Sequence, residues 1–280
     1  MNLLFNSPGS KTRLAKRLIN MYPAHHTYIE PFAGGAACFW EKSPSPVEIL
    51  NDYDPDIATT YRVVRDLTTS QMDCLLNSDW IVSQDRFDAC QGSVDDPVEN
   101  TYRFIYRRKA SFAARENRIA RMKIGNTLTT PKHLQKQNQR LRGVQVHNTD
   151  GLKVIRDNDK PGVFMFIDPP YPGYFWKWKH YQMNDIHDLF TTLQQVKNAK
   201  WLYAETPSVE DEISGVPDGW HQNYMTYPSH LMVGKNLYTV RSYLPITSWI
   251  RKGFQQYRGL NESINNKGIC LGDGTRPDET

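Results

Sequence analysis

The sequence predicts an α/β protein: a parallel sheet with helices on both faces, interrupted by a long, mostly helical insertion. Three observations lead there. Short apolar runs ending in glycine or acidic turns alternate with helical periodicity over the first 66 residues, and again after residue 160. One of these runs, Val163-Phe164-Met165-Phe166-Ile167, is apolar at every position, as expected of a strand covered on both sides. Between residues 68 and 147 the alternation lapses, so that stretch reads as inserted.

Residues 10–22 read as a helix because Leu14, Leu18 and Ile19 share a face, Lys and Arg fill much of the rest, and Pro23 follows. A strand over 27–32 runs into Gly34-Gly35 and a new helix start. A second strand over 47–50 ends in Asn51-Asp52, and Pro55 opens a helix through about residue 66. After the insertion come the buried strand over 162–167 and a helix over 184–199 with Ile186, Leu189, Phe190, Leu193 and Val196 on one stripe. A strand over 200–204 and a closing strand over 236–247 complete the pattern. From residue 259 the chain is rich in Gly, Asn and Asp and has no aromatics, which predicts a flexible tail. The expected division is therefore 1–67 with 148–258 as one α/β unit, 68–147 as its insertion and 259–280 as the tail.

Composition narrows the function. Hydrophobic residues make up 39% of the 280 and aromatics 12%, and no run approaches the roughly 20 apolar residues of a membrane span. The first residues lack the basic and apolar regions of a secretory signal, so a cytoplasmic protein is expected, with no membrane partner. The four Cys are far apart and the eight His show no ligand spacing, which predicts no metal site and no disulfide framework. The net charge of +4 conceals a division. Residues 102–142 hold twelve Lys and Arg against one acid, Glu116, giving 12 − 1 = +11 and leaving 4 − 11 = −7 for the rest. Such a basic segment in an acidic chain points to a polyanion. Arg107, Arg108, Lys109, Arg115, Arg118 and Arg121 are the leading candidates to hold phosphates, with some reading guanine edges.

Three predicted strand ends carry chemistry, and ligands of open α/β sheets bind outside such ends. Glycines at 34 and 35 let a ligand approach the backbone and face the N–H groups of the next helix. Asp52, 22 residues after Glu30, is placed to accept both hydroxyl hydrogen bonds of a ribose. Asp168-Pro169-Pro170-Tyr171 closes the buried strand with a carboxylate, carbonyls without neighbouring N–H groups and an aromatic face. That set suits a planar base bearing an amino group. Each feature also has a plain structural reading, as a tight turn, a surface acid and a rigid strand end.

Together these elements resemble the Dam-type DNA adenine methyltransferases, whose parts run in the order cofactor motif, target-recognition region, catalytic motif. Ser7-Pro8-Gly9-Ser10-Lys11 resembles the family's amino-terminal element, Tyr28 through Ala36 its glycine motif, Leu50-Asn51-Asp52-Tyr53-Asp54 its ribose acid, and Asp168 to Tyr171 its catalytic tetrapeptide. The resemblance implies a Rossmann-like methyltransferase sheet with an inserted DNA-recognition region. It implies S-adenosylmethionine as cofactor, held by Ser7, Lys11, Glu30, Phe32, Gly34, Asp52 and Asp168, and methyl transfer to the adenine amino group by Asp168, Pro169 and Tyr171. Double-stranded DNA is the implied partner, a restriction endonuclease a counterpart, and the protein a monomer or weak dimer. The chain departs from the family at Ser7, where an aromatic is common, and at Ala36, where the motif's last glycine is replaced and φ is required to stay below zero. The recognition region is also unlike the family's, so sequence specificity does not transfer. Methylation of RNA or of another amino group, and a DNA-binding relative without catalysis, are the alternatives.

Overall fold

The computed structural model describes residues 2–170, 182–205, 221–228 and 235–242. The first part contains α1 (Ala15–Ile19), β1 (Thr27–Glu30), α2 (Ala37–Glu41), β2 (Val47–Asn51) and α3 (Pro55–Asp66). The helices α4 (Thr69–Leu76), α5 (Gln84–Ala89), α6 (Pro97–Ala110) and α7 (Pro131–Leu141) follow. The chain then forms β3 (Gln145–His147), α8 (Gly151–Asp157), β4 (Val163–Ile167), α9 (Met183–Gln195) and β5 (Lys200–Glu205), with β6 (His221–Pro228) and β7 (Lys235–Ser242) last.

One sheet of seven strands has the order β3-β2-β1-β4-β5-β7-β6. The first five are parallel, and β7 runs antiparallel to both β5 and β6. This is the expected α/β class. Residues 145–147, placed in the insertion from the sequence, form strand β3, paired to β2. The helix expected over 10–22 is confined to Ala15–Ile19, with turns before it. The tail over 259–280 lies outside the described residues.

All five residues of β4 are buried, and its alternation divides them between two layers. Val163, Met165 and Ile167 join Ile29, Ile49, Trp201 and Tyr203 in a core closed by α8 and α9, through Val154, Ile155, Ile186, Leu189 and Leu193. Phe164 faces the other way, its ring 4.4 Å from that of Tyr22. The helix starts follow local chemistry. Asp54 caps α3 by accepting from the Asp56 N–H at 2.9 Å, Asp96 caps α6, and each is followed by a proline that has no N–H to orphan.

Helix α7 is bolted to α3 and to β2 by polar contacts. Asn138 of α7 donates to the carbonyls of Val64 and Arg65 at the end of α3, at 2.7 and 3.1 Å. Arg140 of α7 lies 3.8 Å above the Phe39 ring and grips Glu48 of β2 with both terminal nitrogens, while Lys42 reaches the same carboxylate at 2.6 Å. Two cations hold the Glu48 carboxyl below its ordinary range despite burial.

Candidate active site

Strand order reverses between β1 and β4, because β1 leads outward to β2 and β4 leads the other way to β5. The crevice at the carboxyl ends of such a pair is where open α/β sheets take ligands. Here the glycine turn leaves β1 on one side and Asp168 leaves β4 on the other.

The turn is built from beneath. Glu30 is buried, and its Oε1 accepts from the Tyr28 hydroxyl at 2.7 Å and from the Phe39 N–H at 2.8 Å, fastening β1 to α2. Burial pushes its carboxyl up to about 8 against those two bonds, and the nearby Asp168 charge pushes the same way. Gly34 has φ +46, and Tyr61 donates its hydroxyl to the Gly34 carbonyl at 2.8 Å. Ala36 corrects the expectation of a negative φ: it sits at φ 49, ψ 47, left-handed, immediately before α2. Its N–H reaches the Ala33 carbonyl at 2.6 Å and its carbonyl accepts from Trp40 at 3.1 Å, so the turn and the first helical bond hold it there. For a residue with a Cβ that conformation costs about 1–2 kcal/mol.

The amino-terminal element lies over this turn. Phe5 is anchored between the Tyr61 and Phe104 rings at 5.3 and 5.1 Å. Ser7 packs against the two glycines so closely that a Cβ on Gly34 would stand 3.2 Å from its Oγ. Lys11 is buried, and its Nζ donates to the Gly9 carbonyl at 3.0 Å and to Asp168 Oδ1 at 2.6 Å. Residues 157 positions apart thus meet as an ion pair at the reversal of the sheet, with the Asp168 side chain one-fifth exposed. Pro169, next along, is buried. Tyr171 lies outside the described residues.

Asp52 joins the second strand end to the turn. Its Oδ2 accepts from the Gly34 N–H at 2.7 Å and its Oδ1 from the Asp54 N–H at 2.9 Å. Burial outweighs both bonds and pushes its carboxyl up to about 6. Each oxygen keeps acceptor capacity after one such bond. Two positioning residues were not anticipated from the sequence. Asn51 donates to the carbonyls of Pro31 and Thr149 at 2.8 and 3.0 Å and accepts from the Thr149 N–H at 3.1 Å, stapling the ends of three parallel strands. Its only signal was an amide at a strand end beside an acid. Gly151 is required by Phe32, since a Cβ there would fall 2.6 Å from the half-buried ring.

The basic candidates do not stay together. Arg107 and Arg108 correct the expectation of surface phosphate grips. Both are buried, and both pair with Glu116, at 2.9 and 2.6 Å. Arg108 also lies 3.7 Å from Asp54 and donates to the Ala114 carbonyl at 3.2 Å. They buttress the loop after α6, whose Ala113, Ala114 and Glu116 all have positive φ. Lys109 is partly buried, donates to the Leu3 carbonyl at 2.9 Å, and is pushed down to about 8 by burial and by Lys123. Arg115, Arg118 and Arg121 remain exposed, Arg118 lying 5.0 Å over the Phe112 ring.

A glycine turn with a ribose-suited acid on one side of the crevice, and an acidic prolyl turn on the other, suit a nucleoside-bearing cofactor opposite a base. Comparison with known proteins gives the family. The match to a Type II methyltransferase of Lactococcus lactis subsp. cremoris, M1.LlaDCHI, is 23% identical over 184 residues, covering 58% of this chain and 63% of that protein's length. A family model for the D12 class of N6 adenine-specific DNA methyltransferases matches residues 7–211, a span that takes in the amino-terminal element, the glycine turn, Asp52, the basic loop and Asp168. With that match running across nearly three quarters of its 280 residues, the chain belongs to the D12 class of N6 adenine-specific DNA methyltransferases.

Proposed function

We propose that this protein transfers a methyl group from S-adenosylmethionine to the exocyclic amino nitrogen of adenine in double-stranded DNA. The observation that carries the reading is the Lys11–Asp168 ion pair at the sheet reversal, which sets an acidic acceptor beside the glycine turn. The residues suit the cofactor. Asp52 offers acceptors for a ribose, the turn at Gly34 lies hydrogen-bonded against that carboxylate, Phe32 presents a half-buried ring, and Ser7 and Lys11 close the element above. When bound, S-adenosylmethionine supplies an electrophilic methyl group on a sulfonium.

An adenine amino group is a poor nucleophile because its lone pair is delocalised into the ring. The Asp168 carboxylate and the Pro169 carbonyl accept its two N–H bonds, drawing the nitrogen toward tetrahedral geometry and localising the lone pair. Pro170 has no N–H to compete for either acceptor. Lys11 holds the carboxylate in one place, so the work of Asp168 is placement and electrostatics. The methylated nitrogen then sheds a proton readily and needs no strong base. Tyr171 stacks on the base, which has to leave the duplex to be reached. Glu30 acts from below, as support for the turn. Arg115, Arg118 and Arg121 hold the duplex through phosphates and guanine edges. In this reading residues 1–67 and the sheet from Gln145 onward catalyse, and the helices between them recognise DNA.

Incorporation of labelled methyl groups into duplex DNA tests the assignment. Asp168→Ala is expected to lose activity by about a hundredfold or more while DNA affinity changes little. Activity within tenfold of wild type, or preferential methylation of an RNA competitor, overturns it.

A further inference from the structure

The twelve cations of residues 102–142 fall into two sets of six. Arg103, Arg107, Arg108, Lys109, Lys123 and Arg140 are spent on carboxylates or backbone carbonyls within the fold. Arg115, Arg118, Arg121, Lys132, Lys136 and Arg142 are exposed and make no ion pair or side-chain hydrogen bond among the described residues. The first three of these belong to the loop already assigned to DNA. The other three follow α7.

That helix buries Leu134, Gln137, Asn138 and Leu141 and turns Lys132, Lys136 and Gln139 outward at helical spacing, with Arg142 just past its end. Its charges oppose its own stability. Lys132 and Lys136 are a like-charged i,i+4 pair, unfavourable by a few tenths of a kcal/mol. Lys132 sits in a first turn that has no acid, at the end where the helix dipole disfavours a cation. Thr130, at the N-cap, makes no side-chain capping bond. No Asp or Glu occurs anywhere from residue 117 to 149 to relieve these charges. An ordinary solvated face mixes signs. One that breaks several local rules together, without compensation among the described residues, marks a place where compensation comes from outside.

The placement fits the same partner as the loop. Residues 2 and 3 are shared between them: Lys109, at the foot of the loop, donates to the Leu3 carbonyl at 2.9 Å, and Gln137 of α7 donates to the Asn2 carbonyl at 3.0 Å. From Lys132 to Arg142 the helix rises about 15 Å, the axial length of roughly four base pairs. We infer that the outer face of α7, through Lys132, Lys136 and Arg142, is a second contact for duplex DNA, made to phosphates flanking the methylated site and indifferent to their sequence. The inference rests on the reading of the protein as a DNA methyltransferase.

The test compares two duplexes carrying the same methylated site, of about 12 and about 40 base pairs, by fluorescence anisotropy over a range of salt. Wild-type protein is expected to bind the longer duplex more tightly and with the steeper salt slope. The variant K132Q/K136Q/R142Q is expected to bind both duplexes alike to within about threefold, its slope on the long one reduced by about two to three units. It is also expected to keep the wild-type melting temperature and affinity for S-adenosylmethionine, since it removes repulsion and touches no cofactor residue. A long-duplex affinity and slope equal to wild type overturns the inference. So does an equal loss on both lengths, which would place these residues at the methylated site itself. The two readings fail separately: length-dependent binding by a wild-type protein that incorporates no methyl refutes the activity and leaves the second contact standing.

Discussion

Replacing Glu30 with Gln isolates the effect of burying a carboxyl beneath the glycine turn. The amide keeps an oxygen able to accept from the Tyr28 hydroxyl and the Phe39 N–H, so the fastening of β1 to α2 survives. What changes is the proton. Folding moves the Glu30 carboxyl from an ordinary 4.5 to about 8, so between those values the folded protein keeps a proton that the unfolded chain releases. Stability then falls as pH rises, by about 1.4 kcal/mol per unit for one group. Between pH 5.5 and 7.0 the wild type is expected to lose about 2 kcal/mol relative to Glu30→Gln, whatever constant offset the amide introduces. Urea unfolding of both proteins at the two pH values measures this difference of differences. A change smaller than about 0.5 kcal/mol would mean that Glu30 ionises within the fold, and that burial does not govern its proton.

Gly151→Ala is expected to cost about 1–3 kcal/mol, read as a lowered melting temperature, because its Cβ would meet the Phe32 ring at 2.6 Å. Asp52, raised to about 6, is ionised above that pH, so affinity for S-adenosylmethionine should weaken as pH falls through 6 and be flat in Asp52→Asn, as calorimetric titration would show. Glu116→Ala removes the carboxylate shared by two buried guanidinium groups, leaving Arg108 with Asp54 and Arg107 with the Cys90 carbonyl, and is expected to destabilise by roughly 3 kcal/mol in thermal or chemical unfolding, more than any change at exposed Arg118.

The features legible in the sequence were those in which local composition decides structure. The five-residue apolar run of β4, bounded by glycine and proline, reads as a strand covered on both sides, and the glycine and prolyl turns read as strand ends. Their meeting across the sheet reversal follows from the order of parallel units. Burial of charge was not legible. Counting cations over residues 102–142 treats all twelve as surface groups, yet a lone acid among them, Glu116, was a sign that some would fold inward to meet it. Strand β3 was hidden because three residues are too few to show a period. Asn51 and Gly151 act through partners distant in the chain, Thr149 and Phe32, so neither carries a local signature. Ala36 shows the opposite failure, a sound local rule overridden by the turn that encloses it.

Glu48 has a mechanical consequence. One carboxylate clamps Arg140 of the outer helix and Lys42 to the start of β2, and that strand leads directly to Asp52. A load applied along α7 therefore reaches the sheet through a rigid strut without passing through a loop. Neutralising Glu48 would remove that strut and leave the helix tied to the end of α3 through Asn138.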